Sequence, residues 1–488
     1  MGMTTQTTTS DAVDAPASAI RPPGVEARLG LRAKLVLAVL CAAQFAIALD
    51  FSILNVALPS LGRDLGFSAG ALQWGITAFA LASGGFLLLG GRIADLVGRR
   101  KVFLVGMAAL TLASVLAAAA WSPEVFLAAR VLQGLAAAGV VPSGMALLTA
   151  AFPEGPLRER ALGVSGTIMA TGFTTGMVLG GVLTEALSWR STMALIVVMG
   201  VVVTAVAPRL LTESRNPHHS RLDVPGALAV TGAVLALIYG LTAGADGGFG
   251  RPQAWGSLAA GVVLLAVFGL VESRSAEPMV DLKLLRRRSV LFGNLGGFTA
   301  FSLMSSVFFL LTLFLQDAQH ISPLVTGLVF GVPGAAAAVS GALAPRLVGR
   351  YGPRKVLVAG LLVQGVATAP LIALGAAEAA GGRAGVLVLV LVGTSLACVG
   401  HLWAIPSYGV VATSGLTPEQ QGLGASLVTL TQQMGMTVGT PVLSAVAAAA
   451  GGTAGVVHGV PAGLAVDAAA VLLLAAAVWT ALARRARP

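Results

Sequence analysis

Asp50 is a carboxylate set in an apolar run that begins near Lys34, and Arg130 is a guanidinium set in another. An ionisable side chain inside a bilayer costs about 2.5–3.5 kcal/mol on insertion scales, so those that persist there mark ion or substrate pathways. A carboxyl group held out of water can take up and release a proton as its surroundings change, and a neighbouring guanidinium is its natural counter-charge. Counted along antiparallel helices at 1.5 Å per residue, the two side chains differ in depth by only about 4–5 Å. Gln133, one turn beyond Arg130, and Asn55, just past Asp50, can share a polar network with them. The chemistry expected of this set is proton coupling at Asp50, tuned by Arg130. Two plainer readings stay open: Asp50 at the interface, satisfied by Asn55 or by backbone, and Arg130 snorkelling to the headgroups along its aliphatic stem.

His401, with Trp403 beside it, lies in a further apolar run; an imidazole titrates near neutral pH, so it is a candidate second proton site or a packed, hydrogen-bonded histidine. Phe45, Phe79, Phe173, Met177, Met304, Phe308 and Trp403 are candidates for an adaptable apolar cavity. Glu185 and Asp467 stand near the ends of apolar runs and are expected at the interface. Cys398 and His401 have no third member that would make a nucleophile–base set, and no G-x-x-x-x-G-K-[ST] phosphate loop occurs. An enzyme is not expected, nor a metal site, nor any cofactor. Energy must then come from an ion gradient or from the substrate's own gradient.

The elements that must position these residues are legible as fourteen separable apolar stretches, each about 18–28 residues long, among 488 residues. A hydrocarbon core about 30 Å thick needs roughly 20 residues of helix. Hydrophobic residues make up 56% of the chain and charged ones 10%, against about 25% charged in a soluble domain; mean hydropathy is +0.89. The two cysteines, Cys41 and Cys398, both lie in apolar runs, which argues against a disulfide framework. The net charge of +10 reads as a topology signal and not as a nucleic-acid surface. Of the 30 Lys and Arg, twenty-five fall on one set of alternating segments, four on the other, and Arg130 within a span. By the positive-inside rule both termini are cytoplasmic, in a multi-pass protein of the cell membrane.

Gly98-x-Arg100-Lys101 recurs as Gly352-x-Arg354-Lys355, 254 residues on. The expected organisation is a disordered cytosolic tail over 1–33, a six-helix half over 34–211, two extra spans and an amphipathic linker over 212–289, and a second six-helix half over 290–488. Repeated halves with a site at their interface are a transporter design.

The chain resembles the major facilitator superfamily, and within it the 14-span drug:proton antiporter branch. The resemblance is carried by Leu49-Asp50-Phe-Ser-Ile-Leu-Asn55-Val-Ala-Leu-Pro59, by the loop Gly91-x-x-x-Asp95-x-x-Gly98-Arg99-Arg100, and by Arg130-x-x-Gln133-Gly134. Pro278 to Arg286 is similar to the branch's linker, and Gln316, Ser322-Pro323, Gly331-x-Pro333-Gly334, Gly422-x-Gly424-x-Ser426 and Gln433-x-Gly435 extend the likeness through the second half. The chain departs from the pattern in three places. Met177 follows Gly176 where the antiporter helix has Pro, Gly349 stands where the first loop copy has Asp95, and His320 replaces a Gly.

The resemblance implies an all-α integral membrane protein with the major facilitator fold and fourteen transmembrane helices. It implies efflux of amphiphilic drugs or antibiotics, driven by proton entry, through alternating access. Asp50 and Arg130 would couple protons. Asn55, Gln133, Phe45, Met177, His401 and Trp403 would line the substrate cavity. Gly91, Asp95, Gly98, Arg99 and Arg100 would form a gating loop, and Gly172, Gly176, Gly180 and Gly181 the close-packed antiporter helix. The implied partners are a small amphiphilic substrate, protons and the lipid bilayer, with no nucleic acid and a monomeric carrier. A facilitator or importer of the same fold, or a transporter-like sensor, are the alternatives.

Overall fold

The structure is a computed structural model, and it describes Gly2 and residues 30–67, 71–152, 156–214, 224–247, 250–274, 282–416, 418–452 and 456–483. Among the described residues every regular element is helical. In lipid a helix satisfies each backbone N–H and C=O within its own segment, which is why long apolar runs take that form.

A first group comprises α1 (Leu31–Leu65), α2 (Trp74–Gly85), α3 (Leu87–Val97), α4 (Arg99–Ala118), α5 (Pro123–Ala151), α6 (Pro156–Ala186) and α7 (Trp189–Leu210). Then come α8 (Val224–Gly247), α9 (Pro252–Arg274) and the single turn α10 (Leu282–Leu285). The second group is α11 (Arg288–Leu313), continued by a π turn over Phe314–Ala318, then α12 (Pro323–Tyr351) and α13 (Pro353–Thr368). A 3-10 turn over Ala369–Ala373 leads into α14 (Leu374–Thr413), followed by α15 (Pro418–Gly451) and α16 (Val456–Ala483). Local sequence explains several boundaries. Ser122 and Ser322 each accept a hydrogen bond from the backbone N–H three residues on, with Pro at the first helical position of α5 and α12. α1 ends on Gly66 at φ 76, a left-handed cap. It runs past residue 58 to Leu65, so Arg63 and Asp64 ride on the helix.

Eleven of the described helical runs are long and apolar enough to cross a membrane, and twelve if the bent pair 74–85 and 89–97 counts as one span. One of the eleven, Pro353–Thr413, is 61 residues long and is interrupted at Gly382, where φ is 56 and ψ −150. Within α8 only the shorter stretch Leu228–Leu241 meets the apolar test. Of the sequence-predicted linker over 278–286, residues 278–281 lie outside the described residues.

In the first group α1 packs on α5, α6 and α7, and α4 on α5 and α7. In the second α11 packs on α14, α15 and α16, and α13 on α14 and α16. A seam separates the groups, crossed by α6 on α12, α2 on α15, and α1 on α11 and α12. α8 pairs with α9 and reaches α2, where the Thr231 hydroxyl donates to the Gly85 carbonyl at 2.6 Å.

α6 makes its close approaches through glycine. A Cβ on Gly172 would sit 3.0 Å from the Phe45 carbonyl oxygen, on Gly176 2.9 Å from that of Leu49, and on Gly180 2.5 Å from that of Ile53. On the opposite helix a Cβ on Gly327 of α12 would sit 2.7 Å from the Met177 carbonyl oxygen and 3.1 Å from Gly181 Cα. Small residues let helix backbones approach to this degree. α6 is thus pressed between α1 and α12, with Gly181 facing the backbone of Pro323.

The repeated loops have matching anchors. Gly98 and Gly352 have φ values of 123 and 83. Arg100 donates through Nη2 to the Pro208 carbonyl near the end of α7 at 2.8 Å; Arg354 donates through Nη2 to the Trp479 carbonyl near the end of α16 at 3.1 Å.

Candidate functional site

Asp50 and Arg130 meet. Arg130 Nη1 donates to Asp50 Oδ2 at 2.8 Å and to Oδ1 at 3.0 Å, and both side chains are fully buried. The sequence puts them together because α1 and α5 pack side by side and run in opposite directions. Arg130 also donates through Nε to the Gly75 carbonyl at 3.0 Å and through Nη1 to Gln133 Oε1 at 2.8 Å. Gln133 passes the chain on to Ser114 Oγ on α4 at 2.8 Å, and Ser114 donates to the Leu110 carbonyl. Four helices therefore hold one ion pair. Asn55 is buried but donates to the Phe51 and Ser52 carbonyls, so it does not satisfy Asp50. A buried pair of this kind is held by geometry and by hydrogen bonds that complete its donors and acceptors. One donor, Arg130 Nη2, is buried and has no hydrogen-bond partner.

A row of rings leads from this pair to the seam. The Arg130 guanidinium carbon lies 4.5 Å from the centroid of the Phe79 ring, a cation–π distance. Phe79 is 6.4 Å from Phe51, Phe51 6.5 Å from Phe173, Phe173 5.8 Å from Phe308, and Phe308 5.0 Å from Phe330. The first three rings belong to α2, α1 and α6; the last two belong to α11 and α12. Phe79, Phe173 and Phe308 are legible in the sequence as cavity candidates. Phe51 and Phe330 were not singled out, although Phe51 directly follows Asp50.

The remaining candidates are placed as follows. Phe45 and Met177 flank the α1–α6–α12 contact, Phe45 against Gly172 and the Met177 backbone against Gly327. Met304 is buried on α11. His401 and Trp403 are on α14 in the second group, away from the helices that hold Asp50. The His401 ring packs edge-on against Phe301 at 5.0 Å, and His401 Nδ1 and Trp403 Nε1 are buried without hydrogen-bond partners. Glu185 is exposed at the end of α6 and accepts from the Leu324 backbone N–H across the seam at 2.9 Å. Asp467 corrects its sequence expectation. It is fully buried in the middle of α16, because α16 begins at Val456, earlier than the apolar run suggested. The Gln433 side chain lies outside what the structure describes.

The loop 91–101 is tied to its own helix group. Asp95 pairs with Arg99 through Nη2 at 2.9 Å and Nε at 3.0 Å, at the first residue of α4. Arg99 N donates to the Ser214 carbonyl, and Arg100 N donates to Glu213 Oε1 at 3.0 Å. A Cβ on Gly98 would lie 2.8 Å from the Glu213 carboxyl. Gly91 packs on Pro142 of α5. Glu213 is a loop anchor that the sequence reading missed, since an acid just past a helix end carries no signal of its own.

At the opposite end of the bundle, polar contacts cross the seam. Gln316, in the π turn, donates to the Val56 carbonyl at 2.9 Å, and Arg63 lies 3.7 Å from Asp317. Asp64 accepts from Trp189 Nε1 at 2.9 Å and pairs with Arg190.

The family profile described as Major Facilitator Superfamily matches residues 40–440 and 295–488. A puromycin resistance protein of Streptomyces alboniger is 35% identical over 475 residues, covering 92% of this chain and 91% of that one. A cephamycin export protein of Amycolatopsis lactamdurans is 37% identical over 428 residues, covering 84% and 83%. A solved auto-inhibited peptide transporter of the POT family shares the fold, with a TM-score of 0.70 at 17% identity over 94% of this chain and 97% of that one. With its repeated loops, its glycine-packed helices and these matches along its length, the chain is a multi-pass membrane transporter belonging to the Major Facilitator Superfamily.

Proposed function

We propose that this transporter exports amphiphilic organic compounds in exchange for protons, by alternating access. The observation that carries the reading is the continuity between the Asp50–Arg130 pair and the seam: five rings in a row join a buried ion pair to the surface where the two helix groups meet. A ring-bearing or cationic compound entering that row would compete with the Phe79–Arg130 contact and loosen Arg130 from Asp50. Asp50, ionised in the pair, could then take up a proton. The names of the relatives, one for puromycin resistance and one for cephamycin export, support drug export as the direction.

In this reading residues 34–211 and 290–488 are the two rocking halves. Residues 212–289 carry two inserted spans, for fourteen crossings in all, and both termini face the cytoplasm of a monomer in the plasma membrane. The end that carries Asp64, Gln316 and Asp317 then faces outward, and its cross-seam contacts form the closed outer gate. The loop held by Asp95, Arg99 and Glu213 sits on the cytoplasmic side, where it would be rearranged when the inner side closes.

The test is drug uptake into inverted membrane vesicles, with puromycin as probe, with and without an imposed proton gradient. Uptake should depend on the gradient and be lost in Asp50→Asn. Gradient-independent uptake that survives Asp50→Asn would replace this reading with facilitated diffusion.

A further inference from the structure

Asp467 is one of three carboxyl groups buried among the described residues, with Asp50 and Glu272, and its setting is unlike that of Asp50. It lies about 16 Å along α16 from Val456, with no exposed surface, and neither oxygen has a hydrogen-bond partner. The facing helix is α13. A Cβ on Gly365 would touch Leu472 Cγ at 2.9 Å and Val471 Cγ1 at 3.2 Å, and one turn further along these antiparallel helices brings the Thr368 hydroxyl against the Asp467 carboxyl.

Among the described residues no counter-charge is at hand. Of the elements packed on α16, α13 carries Arg354 and Lys355 only at its start, and Arg354 is bound at Trp479, about 18 Å along α16 from Asp467. α11 carries Arg288 at its far end, α15 has Glu419 near its start, and the 3-10 turn has no charged residue. The π turn holds Asp317, which faces Arg63. On α16 itself the other titratable side chain is His458, about 14 Å away along the axis.

The hydrogen-bond bookkeeping of Thr368 then decides what completes the site. Its hydroxyl hydrogen is donated to the Gly365 carbonyl at 3.1 Å. Towards Asp467 the hydroxyl oxygen therefore offers a lone pair, and a carboxylate offers only lone pairs. A protonated Asp467 could donate to that oxygen, whereas an ionised one would have to draw the Thr368 hydrogen away from Gly365. One turn earlier on α13, Gln364 donates to the Ala300 carbonyl and leaves its own Oε1 as another buried acceptor without a partner. Asp50 has a fixed cation to complete it; the site on α16 and α13 is built to be completed by a proton.

We propose that Asp467, with Thr368 as the acceptor of its hydrogen, is a second proton-binding site of this transporter, located in the second helix group and independent of Arg130. The inference rests on the proton exchange proposed above, but its test needs no transport. Infrared difference spectra of the purified protein in lipid, recorded as the pH is stepped from mildly acidic to mildly alkaline, report the C=O stretch of protonated carboxyl groups. The wild type should show a component that disappears as the pH rises. That component should be lost in Asp467→Asn, retained in Asp50→Asn, and displaced to higher wavenumber in Thr368→Val, where the accepting oxygen is gone. Thr368→Val leaves the carboxyl in place and keeps the test decisive if Asp467→Asn does not fold. A spectrum unchanged in both Asp467→Asn and Thr368→Val overturns the proposal, and so does an Asp467-dependent component that stays constant with pH, which would mark a fixed neutral acid. Failure of the drug:proton reading would instead appear as gradient-independent uptake with the Asp467 component intact.

Discussion

Phe173 of α6 and Phe308 of α11 stand with ring centroids 5.8 Å apart, and their contact joins one helix group to the other in the apolar middle of the seam. Other seam contacts include close backbone approaches at glycine and polar links at one end. This one is between two large, flat, adaptable surfaces in line with the ring that covers Arg130.

Such a pair contributes about 0.5–1.5 kcal/mol beyond its area. Phe173→Ala and Phe308→Ala should each raise the drug concentration for half-maximal efflux roughly 2- to 10-fold. The double variant should cost less than the sum of the two, read as a double-mutant cycle on efflux.

Arg130→Ala removes the counter-charge of a wholly buried carboxylate. Breaking one partner of such a pair costs about 3–5 kcal/mol, so thermal unfolding in detergent should shift strongly downward. Adding Asp50→Asn to Arg130→Ala should recover much of the loss, because no unpaired charge is then left behind. Equal destabilisation in the single and double variants would mean that Arg130 acts by packing alone.

Gly181 and Gly327 set the approach of α6 to α12. Valine at either position places atoms where the facing backbone now lies, and overpacking of this kind costs about 1–3 kcal/mol. The strain is relieved by parting the groups at the Asp64 end. A thiol introduced as Gln316→Cys should therefore react faster with a membrane-impermeant maleimide in the Gly181→Val background than in the wild type. Cys41 and Cys398 are buried and should contribute little background.

Gly98 holds a φ of 123 against Glu213. Gly98→Ala should cost of order 1–3 kcal/mol through backbone strain, whereas Glu213→Gln, which keeps an acceptor for the Arg100 N–H, should be milder. Limited proteolysis of the 98–101 segment separates the two: cleavage should rise sharply in the first and little in the second.

The fold was legible wherever a rule acts on one helix at a time. Apolar length marked the long helices, and the Gly-x-Arg-Lys repeat pointed to loops that are anchored alike through Arg100 and Arg354. The meeting of Asp50 and Arg130 was legible because depth in a bilayer can be counted along two antiparallel helices. What failed depended on neighbours that sequence does not order. Asp467 looked interfacial because the start of α16 was set too late, so its depth was misjudged. Phe330 joins the ring row only because α12 lies against α6, and Glu213 anchors a loop more than a hundred residues away. Fourteen spans were counted from apolar runs; among the described residues eleven helical runs are long and apolar enough to cross, or twelve with the pair bent near Phe86 taken as one, and the break at Gly382 divides a single 61-residue run.

At Gly172, Gly176, Gly180 and Gly181, α6 is pressed closely against the backbones of its neighbours. A blocking compound arriving from the lipid would have to pry helices apart before finding room there. Inhibitors of this carrier should therefore be sought among molecules that enter by the aqueous route and lodge among the phenylalanines, and resistance to them should arise by trimming or enlarging those rings, since the wall behind has no slack to yield.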